Sequence, residues 1–208
     1  VYGLAEHHLA TGNGEAQERA VALHRAIEAH AAEPAANDYW EARARDWSPL
    51  DDVRLSEKDK NAPKSMNTHL HVMEAYATLL RAWPDPALRE RLRACVSFHL
   101  DRILDPATSH LVLFFDERWT PLDRTVSYGH DVEASWLLCE AANVVGDAGL
   151  TARVHEVALR IARSVLEHAA GPDGAIAYEA APAGIVDDDR HWWAQAEAVV
   201  GFLNAYQL

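Results

Sequence analysis

The sequence predicts an all-α fold, a segment of an α/α toroid, and three observations predict it. Helical stretches of two kinds alternate along the 208 residues. The alternation returns at a spacing of roughly 60 residues, the mark of an architecture in which each unit buries its face on the next. Short turns and long loops alternate as well, so every long loop falls at the same end of the helices.

Taken in order, the stretches around 15–31, 86–104 and 149–169 are amphipathic. In the last, Leu150, Val154, Val157, Ala158, Ile161 and Val165 recur at three- and four-residue steps, with Arg153, Glu156, Arg160, Arg163 and Glu167 between them. Such helices bury one face and wet the other. The stretches around 65–82, 128–145 and 189–207 have scarcely any polar face; in the second, Val132, Ala134, Trp136, Leu137, Leu138, Cys139 and Ala141 follow almost without interruption. A helix apolar all round belongs in an interior. Residues 3–10 read as the end of a fourth helix of this inner class.

The links differ by direction. From inner to outer helix they are short turns, Thr11-Gly12-Asn13-Gly14, Trp83-Pro84-Asp85-Pro86 and Gly146-Asp147, and Pro86 suits a first helical position. The return links are long and carry β-prone pieces at 39–44, 111–116 and 175–179, expected to form small hairpins.

Composition narrows the function. With a formal charge of −13 and no offsetting Lys/Arg cluster, a nucleic-acid or anionic-membrane surface is excluded. Cys95 and Cys139 lie inside apolar helical patterns and read as reduced core residues. Neither a signal-peptide pattern nor an apolar run of membrane-spanning length is present, so a cytoplasmic protein, monomeric or weakly dimeric, is expected. Val1 falls inside a helical pattern and another helix is still running at Leu208. Residues 1–208 are therefore expected to be the central part of one catalytic domain, truncated at both ends.

Residues able to do chemistry cluster in the first two turns of the inner helices, where parallel helices and long loops can converge on one pocket. His130 and Glu133 are three apart and share a face, as a general acid/base and an orienting carboxylate would. The alternative is a structural His–Glu tie. Asn67 and His71, four apart, also share a face, whereas His69 points about 200° away from His71 and reads as a packed core histidine. Trp193 and Glu197 are four apart, and an indole face beside a carboxylate suits a sugar's C–H face and hydroxyls. Trp192 is expected to pack elsewhere. Trp40, Trp47 and Trp119 in the long loops suit the same cleft. A metal held by His71, His130, Glu133 and Glu197 is chemically possible, but the aromatics and amide fit an organic polyol better. Glu74, two turns into its helix, could pair with Glu133 or Glu197 as a glycosidase would, a weaker use.

Four segments carry a resemblance: Asp46-Trp47-Ser48-Pro49-Leu50; the run from Asn61-Ala62-Pro63-Lys64 through Ser65-Met66-Asn67-Thr68-His69-Leu70-His71 to Tyr76; Tyr128-Gly129-His130-Asp131-Val132-Glu133 through Leu138; and Trp192-Trp193-Ala194-Gln195-Ala196-Glu197. In order and spacing the chain resembles the N-acylglucosamine 2-epimerase superfamily, most closely its cellobiose 2-epimerase branch. The resemblance implies a partial (α/α)6 barrel with small β-hairpins in the rim loops. It also implies a disaccharide or monosaccharide substrate, with no cofactor and no metal. The expected reaction opens the reducing-end sugar and moves the C2 proton through a cis-enediolate. His130 would be one of two acid/base histidines with Glu133 orienting it, His71 and Asn67 would assist ring opening and hold O1 and O2, and Trp193 and Glu197 would bind the sugar. The second acid/base histidine would lie beyond Leu208 and an oxyanion-stabilising arginine before Val1, so these 208 residues alone are expected to be inactive. Alternatives are an N-acylglucosamine 2-epimerase, an aldose–ketose isomerase of mannose type, an (α/α)6 glycoside hydrolase or lyase, and an inactive sugar-binding protein.

Overall fold

Capping side chains set where most of the helices begin. The structure, a computed structural model, describes residues 1–33, 37–54, 57 and 60–208. Helix α1 (Tyr2–Thr11) ends at Gly12, whose φ of 71° closes the last turn in the left-handed region. Helix α2 (Gly14–His30) starts from the Asn13 side chain, which accepts from Ala16 N. Ser65 caps α3 (Met66–Ala82), Asp85 caps α4 (Pro86–Phe98) and Asp147 caps α6 (Ala148–Ala169). Each supplies an acceptor to N–H groups that the helix itself cannot satisfy. The side chain of Asp147 also pairs with Arg93 of α4 at 2.5 Å. Asp147→Ala is accordingly expected to cost about 1 kcal/mol, a drop of a few degrees in Tm for a protein of this size. An unchanged melting curve would show the cap to be energetically idle.

Helices α5 (Tyr128–Val145) and α7 (Trp192–Gln207) begin without a side-chain cap. Contacts with the long loops do the work instead: Tyr128 N donates to Tyr178 O at 3.1 Å, and the Gln195 side chain in the first turn of α7 accepts from Ile176 N and donates to Ile176 O, both at 2.9 Å.

The helices form two layers. α1, α3, α5 and α7 pack side by side in sequence order, while α2 lies against α1 and α3, α4 against α3 and α5, and α6 against α5 and α7. The core runs between the layers through Leu70, Met73, Leu92, Leu138, Ile161 and Val165, all buried. α5 buries twelve of its residues, as an apolar-all-round helix should. α7 buries only Ala194, Ala198 and Gly201, and its Val199, Leu203 and Tyr206 face outward. Among the described residues no helix is long and apolar enough to cross a membrane.

Two boundaries differ from the sequence reading. The helix expected to 104 stops at Phe98, and a single π-helical turn, His99–Ile103, follows. There the His99 ring bonds back to Cys95 O at 2.8 Å. The inner helix expected from 189 starts at Trp192, after the strand Gly184–Asp187.

The β-prone pieces do not all fold on themselves. Strands β1 (Ala32–Glu33) and β2 (Asp38–Tyr39) pair, as do β4 (Leu104–Asp105) and β5 (His110–Leu111). But β3 (Lys64–Ser65), immediately before α3, pairs with β6 (Phe114–Phe115) of the next long loop. Likewise β7 (Val126–Ser127), immediately before α5, pairs with β8 (Glu179–Ala181) of the loop after that, and β8 in turn pairs with β9 (Gly184–Asp187). Each long loop thus staples its neighbour at the point where an inner helix starts.

Candidate active site

The staples fix the first turns of α3, α5 and α7 along one rim. On α3, Ser65 Oγ accepts from Thr68 N at 3.1 Å and donates to the Glu41 carboxylate. That bond ties the helix entry to the preceding loop. Beyond it Asn67 and His130 line one cavity of about 90 Å³, together with Glu41, Arg54, Lys60 and Phe114.

On α5 the ring of His130 is held from two sides. Its Nδ1 shares a hydrogen bond of 2.8 Å with Ser127 Oγ, and its ring centroid lies 4.9 Å from that of Trp193. Gly129 is what lets α7 come so close: a Cβ there would sit 2.6 Å from Trp193 Cη2. The edge of Tyr178 meets the other part of the Trp193 ring at 5.9 Å.

A second cluster lies one turn further down the same helices. His71 Nδ1 bonds Glu74 Oε2 at 3.0 Å, and the charges of Glu133 and Glu197 also act on the ring. The bond to Glu74 is the largest cause raising the His71 pKa above 6.5, against partial desolvation. Burial pushes the Glu133 carboxyl from 4.5 to about 7; His71 opposes the rise while Glu197 and Glu74 add to it. Glu197 Oε2 accepts from Trp136 Nε1 at 2.8 Å, which fixes one of its oxygens across the α5–α7 seam.

Both shifts are upward, so both groups favour the folded state in their protonated forms. Their contributions are present below the ordinary pKa values and lost as pH rises through the folded ones. Thermal stability is therefore expected to fall between about pH 5 and pH 8, with Glu133→Gln flattening that fall. A Glu133→Gln series running parallel to wild type would remove Glu133 as its source.

The candidate residues fall into two groups: Asn67 and His130 lining the cavity with Trp193 against the His130 ring, and His71, Glu133 and Glu197 around the carboxylates. Ser127 occupies His130 Nδ1, the orienting task the sequence reading gave to Glu133, while the charges acting on Glu133 come from His71, Glu197 and Glu74. His69 is the core histidine expected. It is buried, with Nδ1 bonded to Ser65 O at 2.7 Å and Nε2 accepting from Tyr39 N at 3.0 Å, and burial lowers its pKa to about 3.

Other expectations change. Trp192 does not pack but is 81% exposed. Trp119 is locked between His69, Phe98 and Phe115 with its N–H on Asp38, and Trp40 lies under the Lys64 ammonium at 4.1 Å; both are structural. Trp47 stacks on His30. For a metal, the ligand atoms that lie within 4.8 Å of one another among the described residues belong to Asp187, Asp189 and His191, not to His71, His130, Glu133 and Glu197.

Sequence reasoning missed Ser127, Trp136 and the bond between Glu74 and His71. The signal was present at helical spacing: Trp136 lies three residues after Glu133 and Glu74 three after His71. Glu41 and Tyr178, which come from separate long loops, left no such signal.

A sequence profile of the N-acylglucosamine 2-epimerase (GlcNAc 2-epimerase) family matches residues 3–208. The chain belongs to that family. Among N-acylglucosamine 2-epimerase family members, a cellobiose 2-epimerase from Bacteroides fragilis is 47% identical over 207 residues, spanning 100% of this chain and 53% of the relative. The crystal structure of a sugar epimerase from a ruminal bacterium superposes with a TM-score of 0.92 at 38% identity, over 99% of this chain and 52% of that one. Cellobiose 2-epimerase from Bacillus thermoamylovorans gives 0.90 at 38% identity with the same coverage. The chain thus spans about half the length of these relatives.

Proposed function

We propose that residues 1–208 are the central part of the (α/α)6 catalytic domain of a sugar 2-epimerase. The substrate is a β-1,4-linked disaccharide such as cellobiose or lactose, whose reducing-end glucose becomes mannose. The observation that carries this reading is His130, held by Ser127 and the Trp193 ring and lining one cavity with the Asn67 amide. The likeness to cellobiose 2-epimerases supports the substrate class.

The chemistry follows from the aldehyde form of the sugar. Its C2–H is weakly acidic because the carbanion delocalises onto O1, so an imidazole with a pKa near neutrality suffices as base. His130 exchanges the proton on one face of C2, and a histidine outside residues 1–208 serves the other face. Asn67 hydrogen-bonds the O1/O2 edge of the cis-enediolate. His71 assists ring opening, Trp193 stacks on the sugar, and Glu197 accepts from a hydroxyl with the oxygen that Trp136 leaves free. Glu133, its carboxyl pushed up to about 7 by burial, resists placing a second full negative charge beside the enediolate.

The test is NMR of cellobiose in D2O with the intact protein and its His130→Ala variant. Deuterium is expected at C2 as the mannose end forms, with the rate falling on the order of 100- to 10,000-fold in the variant. Glycosidic cleavage without C2 exchange would replace the epimerase with a hydrolase. A ketose end as the main product would make it an aldose–ketose isomerase.

A further inference from the structure

Glu74 has no part in the scheme above, yet among the described residues it holds the one carboxylate bonded to the His71 ring. Three inner helices direct carboxylate charge at that imidazole: Glu74 from α3, Glu133 from α5 and Glu197 from α7. They are not equivalent. Glu197 already accepts from Trp136, and burial pushes the Glu133 carboxyl toward its neutral form. Glu74, one turn along from His71, bonds Nδ1 at 3.0 Å. From α1, Tyr2 has its hydroxyl pKa raised first by partial burial and then by the Glu74 charge. Arg81, the cation on this side, is spent on Glu140 at 2.7 Å and Glu6 at 3.4 Å.

With Nδ1–H committed to Glu74, proton exchange between His71 and a ligand falls to Nε2. We propose that Glu74 is a positioning residue: it fixes the His71 ring and keeps it an imidazolium whose Nε2–H serves sugar ring opening. This rests on the epimerase reading. In the step, Nε2 gives its proton to the ring oxygen as the C1–O5 bond breaks, with the electron pair leaving on O5. The O1 hydroxyl then returns a proton to Nε2 as the C1=O1 bond forms, and the imidazolium is restored. Without the carboxylate the ring spends more of its time neutral and free to rotate, and the step slows without loss of sugar contacts.

The experiment compares the intact wild-type protein with Glu74→Gln, which keeps an acceptor but removes the charge, and Glu74→Asp, which keeps the charge. The His71 imidazole C–H signals are titrated by NMR, and kcat and KM for cellobiose are measured against pH. Glu74→Gln is expected to lower the His71 titration midpoint and to reduce kcat on the order of 100-fold, with KM little changed. Glu74→Asp should recover part of both, and it supplies the titration if the Gln variant does not fold. An unmoved His71 midpoint, or a lowered midpoint with wild-type kcat, overturns the proposal. If wild type itself shows no exchange at C2, the epimerase reading fails, and the titration alone still decides whether Glu74 controls His71.

Discussion

Replacing Lys64 by methionine is expected to cost about 3–5 kcal/mol of stability. The Lys64 ammonium is fully buried, 2.6 Å from Asp38 Oδ1, 3.0 Å from Glu33 Oε2 and 4.1 Å from the centre of the Trp40 ring. Asp38 is equally buried and also accepts the Trp119 N–H. Methionine fills the lysine's volume but leaves a carboxylate in the interior with one neutral donor. The penalty is for that stranded charge, not for the attraction lost. The double variant Lys64→Met/Asp38→Asn should therefore recover most of the stability, because the asparagine oxygen still accepts from Trp119 and the one carboxylate left from the cluster, Glu33, is half-exposed. On thermal unfolding the single variant is expected to melt on the order of 10 °C below wild type. A loss below about 1 kcal/mol would mean that water reaches Asp38. The consequence for function is indirect: Lys64 joins the β1–β2 hairpin to the residue before the α3 cap, and Asn67 and His71 ride on the turns that follow.

That cluster shows where the sequence was legible and where it stopped being so. Periodicity located the seven α-helices among the described residues, because Val154-Val157-Ile161-Val165 on α6 or the unbroken apolar run of α5 answers to local geometry alone. The inner and outer classes followed from the same patterns, since a helix with no polar face has to be covered on every side. Which strands pair did not follow. Lys64–Ser65 with Phe114–Phe115 and Val126–Ser127 with Glu179–Ala181 are two- and three-residue pairings between loops some 50 residues apart in sequence. Such pairings carry no alternation to read. The aromatic loop residues were misread for a related reason. Trp119 offers the same ring whether it faces a sugar or a buried aspartate, and only Asp38, 81 residues away, decides.

The site divides in the same way. His71 with Glu74, and Glu133 with Trp136, are contacts or shared faces one turn apart on a helix, and spacing identifies them. His130 is different. Asp131, next to it, is wholly buried and bound to His110 Nδ1 at 2.7 Å and Leu111 N at 2.8 Å. The first turn of α5 is thus pinned to the β4–β5 hairpin on one side while His130 faces Trp193 on the other. Neither partner is near in sequence.

Gly129→Ala is expected to reduce kcat/KM about 100-fold, the effect of displacing a positioned group by about 1 Å, while changing Tm by only a few degrees. Two terms act on stability. Alanine is the better helix former by about 1 kcal/mol, but its Cβ would stand 2.6 Å and 2.8 Å from two atoms of the Trp193 ring and 2.8 Å from Ala194 Cβ. Relieving that overlap costs about 1–3 kcal/mol, so the net loss is small. No such compensation exists for activity. The ring that must move lies against His130 and Tyr178, so the proposed base and the proposed sugar platform shift together. Trp193→Ala in the Gly129→Ala background separates the two effects. It removes the overlap with the ring but not that with Ala194 Cβ, so the melting temperature should return part of the way toward that of Trp193→Ala alone, and activity should stay low because the proposed platform is gone. Full activity in Gly129→Ala would instead detach Trp193 from the site.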